Sequence, residues 1–430
     1  MLFGHFAQVQ IFPALWNART CQRPLSKQGI YQRMSATTNP KVHGMDGTLV
    51  EPDWPALTLP EVRALLGQFP GCGEPIHILT VSPRPLSAAS VVGTHGGRVF
   101  IKRHHRRVRD AEGLLEEHRF LQHLHAQGAP VPRVFASAGG ETAIESGEWT
   151  YEVHEAPEGV DIYEDALSWT PFLTTAHAHS AGQALARLHL ASQGFSAPQR
   201  KPRPLVAGFT IFAAQDPGAA MKRYLSLRPA LAEDALTRRC CEQALELLAQ
   251  FHAELLPLLP ALAPLWTHSD LHASNLLWSD GGPEAQATAI IDFGLADRTN
   301  AVHDLAQAIE RNIVGWLDLL REPARSEEVP VHLDHLHALL TGYETVRSLS
   351  AEEAAAMAPM TALCHAEFAL SEADYFRGVL HSDEKGRLAS DDYLVGHARW
   401  FRSRGGRKLL DALRRWAADR ERQSNRSGCR

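Results

Sequence analysis

The sequence lacks several features that would assign it to a specialised class of protein. Its six cysteines include no C-x-x-C pair and no Cys/His spacing typical of a zinc site, which indicates reduced thiols in a cytoplasmic protein. No apolar run reaches the roughly 18 residues that a membrane span requires. The net charge of −6 shows none of the basic excess typical of nucleic-acid-binding proteins. We therefore expect neither nucleic acid nor a membrane as a partner.

The first 45 residues contain no Asp or Glu, although they carry several Lys and Arg residues. An acid-free, arginine-containing start is typical of an organelle transit peptide. A flexible extension, or translation that begins at Met34 or Met45, explains the same composition, and the absence of a clean helical period favours these two alternatives. We predict an extension over residues 1–45, followed by a nucleotide-binding lobe over residues 46–154 and a catalytic and substrate-binding lobe over residues 155–430.

The stretch from residue 266 to residue 304 carries the most specific motif. It contains the triplet His-Ser-Asp ending at Asp270, then Asn275, and then an apolar run that closes on the triplet Asp-Phe-Gly beginning at Asp292. This spacing matches the catalytic-loop and metal-loop pattern of ATP-dependent phosphoryl transfer. The carboxylate of Asp270 can accept the proton of an attacking hydroxyl. Oxygen atoms of Asn275 and Asp292 are hard ligands suited to Mg²⁺.

The preceding region predicts a small antiparallel sheet with one main helix. Strand patterns cover residues 76–81, 91–93 and 98–103, and an amphipathic helix covers residues 110–127. Lys102 lies near the end of the third strand, in the position of the kinase lysine that contacts nucleotide phosphates. On the helix, Glu117 is the candidate for an ion pair with Lys102, and Glu116 is the alternative.

The segment Ser-Ala-Ala-Ser, from Ser87 to Ser90, precedes Lys102 by one hairpin and is the predicted phosphate loop. Small residues let backbone N–H groups approach a phosphate, and the two hydroxyls add donors. The loop is not rich in glycine, and alanine resists positive φ. Beyond residue 155 the apolar residues recur at three- and four-residue steps, which predicts helices over residues 302–320, 331–346, 351–379 and 391–420. His189 lies on an apolar helix face, which favours a structural role.

Together these motifs resemble those of the aminoglycoside phosphotransferase and choline kinase superfamily. The resemblance covers roughly residues 76–380, and the segment 364–376 is similar to homoserine-kinase-like and hydroxylysine-kinase-like bacterial members. It implies an α+β, two-lobed, protein-kinase-like fold, with a small antiparallel-sheet N-lobe carrying one main helix and a large, mostly helical C-lobe. Ser269 departs from the glycine that is usual between the histidine and the catalytic aspartate of the superfamily.

The resemblance implies a kinase that uses ATP and Mg²⁺ to phosphorylate a hydroxyl of a small molecule, for example a hydroxy-amino acid or an amino alcohol. Because superfamily substrates often carry amines, acidic residues are expected near the acceptor. The candidates are Asp161, Asp165, Glu367 and Asp374. A protein or antibiotic hydroxyl is an alternative acceptor. The competing reading is a catalytically silent nucleotide-binding module, which the altered phosphate loop favours and the complete set of base, metal ligands and lysine disfavours.

Overall fold

The computed structural model describes residues 42–43, 49–317 and 329–427. Most of the predicted extension over residues 1–45 therefore lies outside the described residues, as does the end of the helix predicted over residues 302–320. Within the described ranges, no helix is both long enough and apolar enough to cross a membrane.

The N-terminal lobe is built on a five-stranded antiparallel sheet with the strand order β3-β4-β5-β7-β6. Thr58 and Glu61 form a capping box that begins the first helix, in which each side chain bonds the backbone N–H of the other residue. The elements of this lobe are β1 (Val42–His43), β2 (Leu49–Val50), α1 (Leu59–Leu66), β3 (Pro75–Val81), β4 (Ala88–Thr94), β5 (Gly97–His105), α2 (Ala111–Ala126), β6 (Ala143–Ser146) and β7 (Trp149–Glu155).

Alternation along β5 and β7 gives the sheet two chemically different faces. Ile101 pairs with Val153, and both pack in an apolar core with α1. Lys102 pairs with Glu152, so their side chains lie on the opposite face of the sheet. The helix α2 supplies Glu117 and His118, which are buried, and His118 bonds to Glu152. The polar face of the sheet is therefore covered by α2, whose buried residues there are also polar.

The C-terminal lobe is mostly helical and contains two short antiparallel strand pairs. The strands β9 and β10 form a hairpin, and β8 pairs with β11 on either side of it in the sequence. The elements are α3 (Thr175–Ala191), α4 (Pro217–Ser226), α5 (Pro229–Glu233), α6 (Ala235–Leu255), β8 (Pro264–Thr267), β9 (Leu276–Trp278), β10 (Ala287–Ile290), β11 (Asp297–Asn300), α7 (Ala301–Ile313), α8 (Leu333–Glu344), α9 (Ala351–Leu363), α10 (His365–Asp374), α11 (Asp383–Arg387), α12 (Gly396–Arg402) and α13 (Arg404–Ser427).

The helices α3 and α8 cross at two glycines. A Cβ atom at Gly182 would clash with the backbone of α8, and a Cβ atom at Gly342 would clash with the backbone of α3. Only glycine allows this close approach, which brings His189 on α3 within hydrogen-bonding distance of Tyr343 on α8. The two helices therefore pack in direct backbone contact.

The helical lobe differs from the sequence prediction in how its last helices are divided. The predicted helix over residues 351–379 is two α-helices, α9 and α10, followed by a π-helical turn over Tyr375–Val379. The predicted helix over residues 391–420 likewise begins inside a π-helical segment, Leu388–Val395, and is divided at residue 403. Apolar periodicity continues through both breaks, so the sequence pattern does not reveal them.

Candidate active site

The hairpin of β9 and β10 brings the three predicted oxygen-bearing residues together. The backbone N–H of Ile291 donates to the carbonyl oxygen of Asn275 at 3.0 Å, which places Asp292 beside Asn275. The Asn275 side-chain amide donates to the carbonyl oxygen of Asp270 at 2.9 Å and lies 3.4 Å from its Oδ2. Asp270, Asn275 and Asp292 therefore meet at the open end of one hairpin, while their catalytic roles remain predictions.

A buried carboxylate on α7 holds the backbone before the predicted catalytic aspartate. Asp304 accepts from the N–H groups of His268 at 3.0 Å and Ser269 at 2.8 Å. His189 lies 3.0 Å from the same carboxylate and 2.7 Å from the Tyr343 hydroxyl, which agrees with the structural role predicted for this histidine. Burial alone would raise the pKa of Asp304, but hydrogen bonds and the charge of His189 hold it below its ordinary value.

We call the two hydrogen bonds from this backbone to Asp304 the Asp304 brace. Within it Ser269 has a φ of 60°, in the left-handed region that favours glycine. The conformation gives a physical reason for a glycine at this position in similar motifs. Here the Ser269 hydroxyl lies 3.0 Å from the Thr267 hydroxyl, and the carbonyl oxygen of Ser269 accepts from Arg311 at 3.2 Å. Local hydrogen bonds therefore offset part of the backbone strain.

Arg311 is a residue of the candidate site that the sequence did not predict. Its Nη1 contacts the Asp270 carboxylate directly, and its side chain is only 1% exposed. Burial raises the pKa of Asp270 to about 6, while the charge of Arg311 opposes that rise. The sequence could have indicated it, because Arg311 follows Asp304 by two helical turns and so lies on the same face of α7.

Lys102 donates to Oδ1 of Asp292 at 2.9 Å. Burial alone would lower the pKa of Lys102, but the carboxylates of Asp292, Glu152 and Glu117 raise it. Likewise burial would raise the pKa of Asp292, yet the adjacent Lys102 lowers it. Asp292 is 42% exposed, so one oxygen-bearing side of this ion pair faces solvent. Lys102 and Asp292 thus compensate each other's charge.

The predicted ion pair between Lys102 and Glu117 is not formed in this structure, because Lys102 bonds to Asp292 instead. Glu117 is buried and acts on Lys102 only through its charge. The alternative partner, Glu116, lies 3.5 Å from Nε of Arg200. The nucleotide-binding roles of Lys102 and Glu117 therefore stay predictions.

The loop between β3 and β4 differs from the predicted phosphate loop. It spans residues 82–87, so Ser87 is its last residue, whereas Ser90 lies inside β4. Ser90 pairs with Ile101 and its side chain faces the apolar core, which corrects its assignment to the loop. The error arose because the small residues at the start of β4, Ala88 and Ala89, have the same composition as a small-residue loop.

Arg84 lies within this loop and was not predicted. Its guanidinium donates to the carbonyl oxygen of Ala166 in the helical lobe at 3.3 Å. Burial lowers the pKa of Arg84, and the charges of Asp161, Asp292 and Asp270 oppose that change. The loop therefore places a cation in the field of the predicted catalytic and metal-binding carboxylates.

Beneath Lys102 lies the Glu152 network, defined as Glu152 with His104, His118 and His154. The Glu152 carboxylate lies 2.9 Å from Nε2 of His104 and 2.8 Å from Nε2 of each of the other two histidines. Burial alone would raise the pKa of Glu152, but the charge of His154 and these hydrogen bonds hold it well below its ordinary value. An ionised carboxylate only accepts, so each Nε2–H donates to it.

Ligand atoms of three members of the network lie within 4.8 Å of one another, a spacing that a metal ion can use. Hydrogen bonding already accounts for the arrangement. The remaining nitrogen of His118 lies 2.8 Å from the Thr142 hydroxyl, and no buried side-chain nitrogen or oxygen of the four network residues lacks a partner. The network therefore needs no ion to be complete.

The four predicted acceptor carboxylates differ in their partners. Glu367 accepts from the backbone of Thr210 and Ile211 and from the Thr210 hydroxyl, and Asp374 lies 3.6 Å from Nε of Arg228. Both carboxylates therefore have partners within the protein. Asp161 accepts from the N–H of Tyr163 at 3.0 Å, and Asp165 is exposed. The structure gives Glu367 and Asp374 structural contacts, and an acceptor role for Asp161 or Asp165 stays a prediction.

Comparison with known proteins places the chain in a family. The profile of the phosphotransferase enzyme family matches residues 86–349. A homoserine kinase from Phenylobacterium zucineum (strain HLK1) is 26% identical over 305 residues, which cover 70% of this chain and 80% of that enzyme.

Two solved structures align with most of this chain. The microcompartment-associated aminopropanol kinase aligns over 81% of this chain and 99% of its own, at 17% identity and a TM-score of 0.52. An aminoglycoside phosphotransferase from Alicyclobacillus acidocaldarius aligns over 85% of this chain and 98% of its own, at 17% identity and a TM-score of 0.48. The predicted two-lobed, protein-kinase-like α+β fold is confirmed. Because the family profile matches more than half of its residues, the chain belongs to the phosphotransferase enzyme family.

Proposed function

We propose that the protein is an ATP- and Mg²⁺-dependent kinase that transfers the γ-phosphoryl group to a hydroxyl of a small molecule. The observation that carries this proposal is the convergence of Asp270, Asn275 and Asp292 at one end of the central hairpin. Lys102 approaches the same place from the sheet. Family membership and the homoserine kinase relative support a phosphotransferase with an alcohol acceptor.

The residues present fit a hard divalent cation. The side-chain N–H groups of Asn275 both donate to Asp270. Oδ1 of Asn275 therefore has no protein partner among the described residues and is available to a metal ion. Asp292 supplies carboxylate oxygens at the exposed end of the hairpin. Such oxygens are the ligands that Mg²⁺ prefers, and the ion would neutralise phosphate charge when bound. Lys102 and Arg84 add positive charge from the sheet side, which suits the polyphosphate of ATP.

Asp270 would orient and deprotonate the acceptor hydroxyl. With a pKa raised to about 6 by burial, its carboxylate is mostly ionised at neutral pH and yet close enough to neutrality to take up a proton. Arg311 fixes the carboxylate in position. In this proposal the lobe over residues 46–154 binds the nucleotide, and the lobe over residues 155–430 supplies the base and the acceptor site.

Replacement of the base tests the proposal. We expect Asp270→Asn to lower kcat by about 10²- to 10⁴-fold while Mg-ATP still raises Tm, because the variant keeps the metal ligands and the lysine. Turnover is measured as ADP release across hydroxy-amino acids, amino alcohols, sugars and aminoglycosides. Asp280→Asn is the matched control, since Asp280 lies on the exposed turn of the same hairpin.

Unchanged turnover in Asp270→Asn would reject the assignment of the base. The alternative function is a silent nucleotide-binding module. It predicts no ADP release with any acceptor, and it is disfavoured because base, metal ligands and lysine are all present and adjacent. Absence of any Tm shift with millimolar Mg-ATP would exclude nucleotide binding as well.

A further inference from the structure

Two buried arginines, one from each lobe, donate to the same carbonyl oxygen beside Asp292. Nη2 of Arg109 lies 2.8 Å from the carbonyl oxygen of Gly294, and Nη1 of Arg200 lies 2.9 Å from it. Arg109 lies between β5 and α2, whereas Arg200 lies in the segment after α3. Both residues are at most 5% exposed. The turn that carries the predicted metal ligand is therefore held from both lobes.

The other donors of these guanidinium groups connect the lobes to each other. Arg109 also donates to the carbonyl oxygens of Pro204 and Leu205 in the C-lobe. Arg200 also donates to the carbonyl oxygen of Gly113 on α2, at 2.9 Å. Each hydrogen bond that the two groups donate ends on a backbone carbonyl oxygen. The two arginines thus fix backbone positions, including that of the turn.

The charge of Arg109 is costly in this position. Burial lowers the pKa of Arg109 and the charge of Arg200 lowers it too, while the carboxylates of Glu117 and Glu152 oppose the change. A guanidinium stays protonated in proteins, so two like charges remain buried near each other. Because burial of charge costs free energy, stability alone does not account for this arrangement. A planar guanidinium does offer several donors in a fixed geometry, which can hold separate backbone segments at once.

The backbone at Asp292 is the part of the turn that needs such support. Its φ is 61°, in the left-handed region that is unfavourable for a residue other than glycine. Such a conformation persists only where the surrounding structure holds it. Within the turn, the N–H of Gly294 lies 3.4 Å from Oδ1 of Asp292. The carbonyl group of the same glycine is the point at which both arginines bond to the turn.

We propose that Arg109 and Arg200 are positioning residues that hold Asp292 in its metal-binding orientation, and that Arg109 couples this orientation to the N-lobe. This inference rests on the proposed kinase function and deepens it. Both arginines act through Gly294, two residues after the ligand. Loss of either one weakens binding of the metal ion and leaves the protonation of Asp270 unchanged.

The test is the Mg²⁺ dependence of nucleotide binding. Arg109→Lys keeps the positive charge, but a single ammonium cannot replace the planar fork that reaches Gly294, Pro204 and Leu205 together. Tm is measured against free Mg²⁺ at a fixed, saturating concentration of a non-hydrolysable ATP analogue. We expect the Mg²⁺ concentration that gives half of the rise in Tm to increase by about 10- to 100-fold, as is typical when a residue that orients a metal ligand is lost. Arg200→Lys, the second variant, shows the same increase.

Kinetics provide a readout that a merely structural role would not change. With the acceptor identified by ADP release, we expect the Mg²⁺ concentration for half-maximal turnover to increase in both lysine variants. At saturating Mg²⁺ we expect kcat to recover to within about 3-fold of the wild-type value, with the same pH profile, because the base is not displaced.

The matched control is Arg203→Gln. Arg203 pairs with Asp110 at 2.6 Å and with Glu112, so it joins the same two segments of the chain without bonding to the turn. We expect this variant to lose Tm and to keep the wild-type Mg²⁺ dependence.

The outcomes separate the inference from the proposed function. An unchanged Mg²⁺ dependence in both lysine variants, even with a lower Tm, overturns the inference while kinase activity stands. An equal increase in Arg203→Gln also overturns it, because the effect then comes from loss of contact between the lobes in general. A kcat that does not recover at saturating Mg²⁺ overturns a role confined to the metal ligand. Absence of any Mg²⁺-dependent rise in Tm in the wild-type protein, with no transfer to any alcohol, overturns the proposed function together with the inference.

Discussion

Two buried clusters of ionisable side chains interact with the predicted phosphoryl-transfer residues, and they are built in opposite ways. In the N-lobe, Glu152 accepts from three histidines and no buried atom of the network is left without a partner. In the C-lobe, Arg311 contacts Asp270, Glu372 interacts with Asp270 through its charge, and Arg311 and Glu372 each have one buried atom without a partner among the described residues. The residues of both clusters are buried, so burial alone does not predict what each cluster contributes to stability.

The difference predicts which cluster stabilises the folded protein and which one costs folding free energy. A fully bonded network loses free energy when one partner is removed, because the remaining groups become unpaired. A cluster with an unpaired group already bears that cost, and the protein gains stability when a mutation removes the group. The two regions should therefore respond in opposite directions to the same chemical substitution, glutamate to glutamine.

The largest expected effect is at Glu152. Glu152→Gln removes the charge that accepts from three histidines and places an amide N–H against an imidazole N–H, so we expect a loss of about 3–5 kcal/mol of unfolding free energy. Urea unfolding after treatment with a chelator measures it, and the chelator separates this effect from any bound metal. Glu155→Gln, an exposed neighbour on β7, is the control. A loss below about 1 kcal/mol would contradict a stabilising role.

The opposite effect is expected at Glu372. Its pKa is raised to about 8 in the folded protein, so the folded state binds a proton more tightly than the unfolded state does. Stability is therefore lost as pH rises from the unfolded pKa, about 4.3, toward 8. We expect Glu372→Gln to raise the unfolding free energy by about 1–3 kcal/mol at pH 8 and by little at pH 5.

Unfolding curves at the two pH values measure this prediction. The carboxyl group of Glu152 behaves in the reverse way, since its lowered pKa contributes stability that is lost as pH falls below its ordinary range. The contrast between the two variants should thus be greatest near pH 8. Destabilisation by Glu372→Gln at pH 8 would mean that Glu372 is already paired in the folded protein.

This contrast also shows what the sequence can and cannot predict. Local spacing predicted that Asp270, Asn275 and Asp292 lie at one hairpin, because five residues and a short turn leave few other arrangements. The strand positions in the N-lobe were predicted to within a few residues for the same reason. Partners that are distant in the chain were not predicted, including Lys102 with Asp292 and Arg311 with Asp270.

The acceptor carboxylates show the same limit on a smaller scale. Glu367, Glu372 and Asp374 all lie on α10, and the sequence reasoning selected the first and the third. Only the fold shows that those two bond to other parts of the protein while Glu372 retains an unpaired oxygen. Helical periodicity predicts which face of a helix a residue lies on, but it does not predict which carboxylates bond to residues of other elements.

The smallest expected effect is at Ser269, which connects the Asp304 brace to Arg311. Ser269→Gly relieves a left-handed backbone conformation that costs roughly 1–2 kcal/mol for an L-residue, and it removes a hydroxyl bond to Thr267 worth about 1 kcal/mol. The two changes nearly cancel, so we expect a net change in unfolding free energy below about 1 kcal/mol and little change in kcat.

The control for this variant is Ser192→Gly, because Ser192 is also buried and its hydroxyl donates to a carbonyl oxygen at 2.8 Å, but its φ is −71°. The control variant loses a hydrogen bond without any relief of strain, so it should be the less stable of the two. Equal destabilisation in both variants would mean that the left-handed backbone at Ser269 is not strained. The predicted catalytic loop would then hold Asp270 in place without storing energy in its backbone.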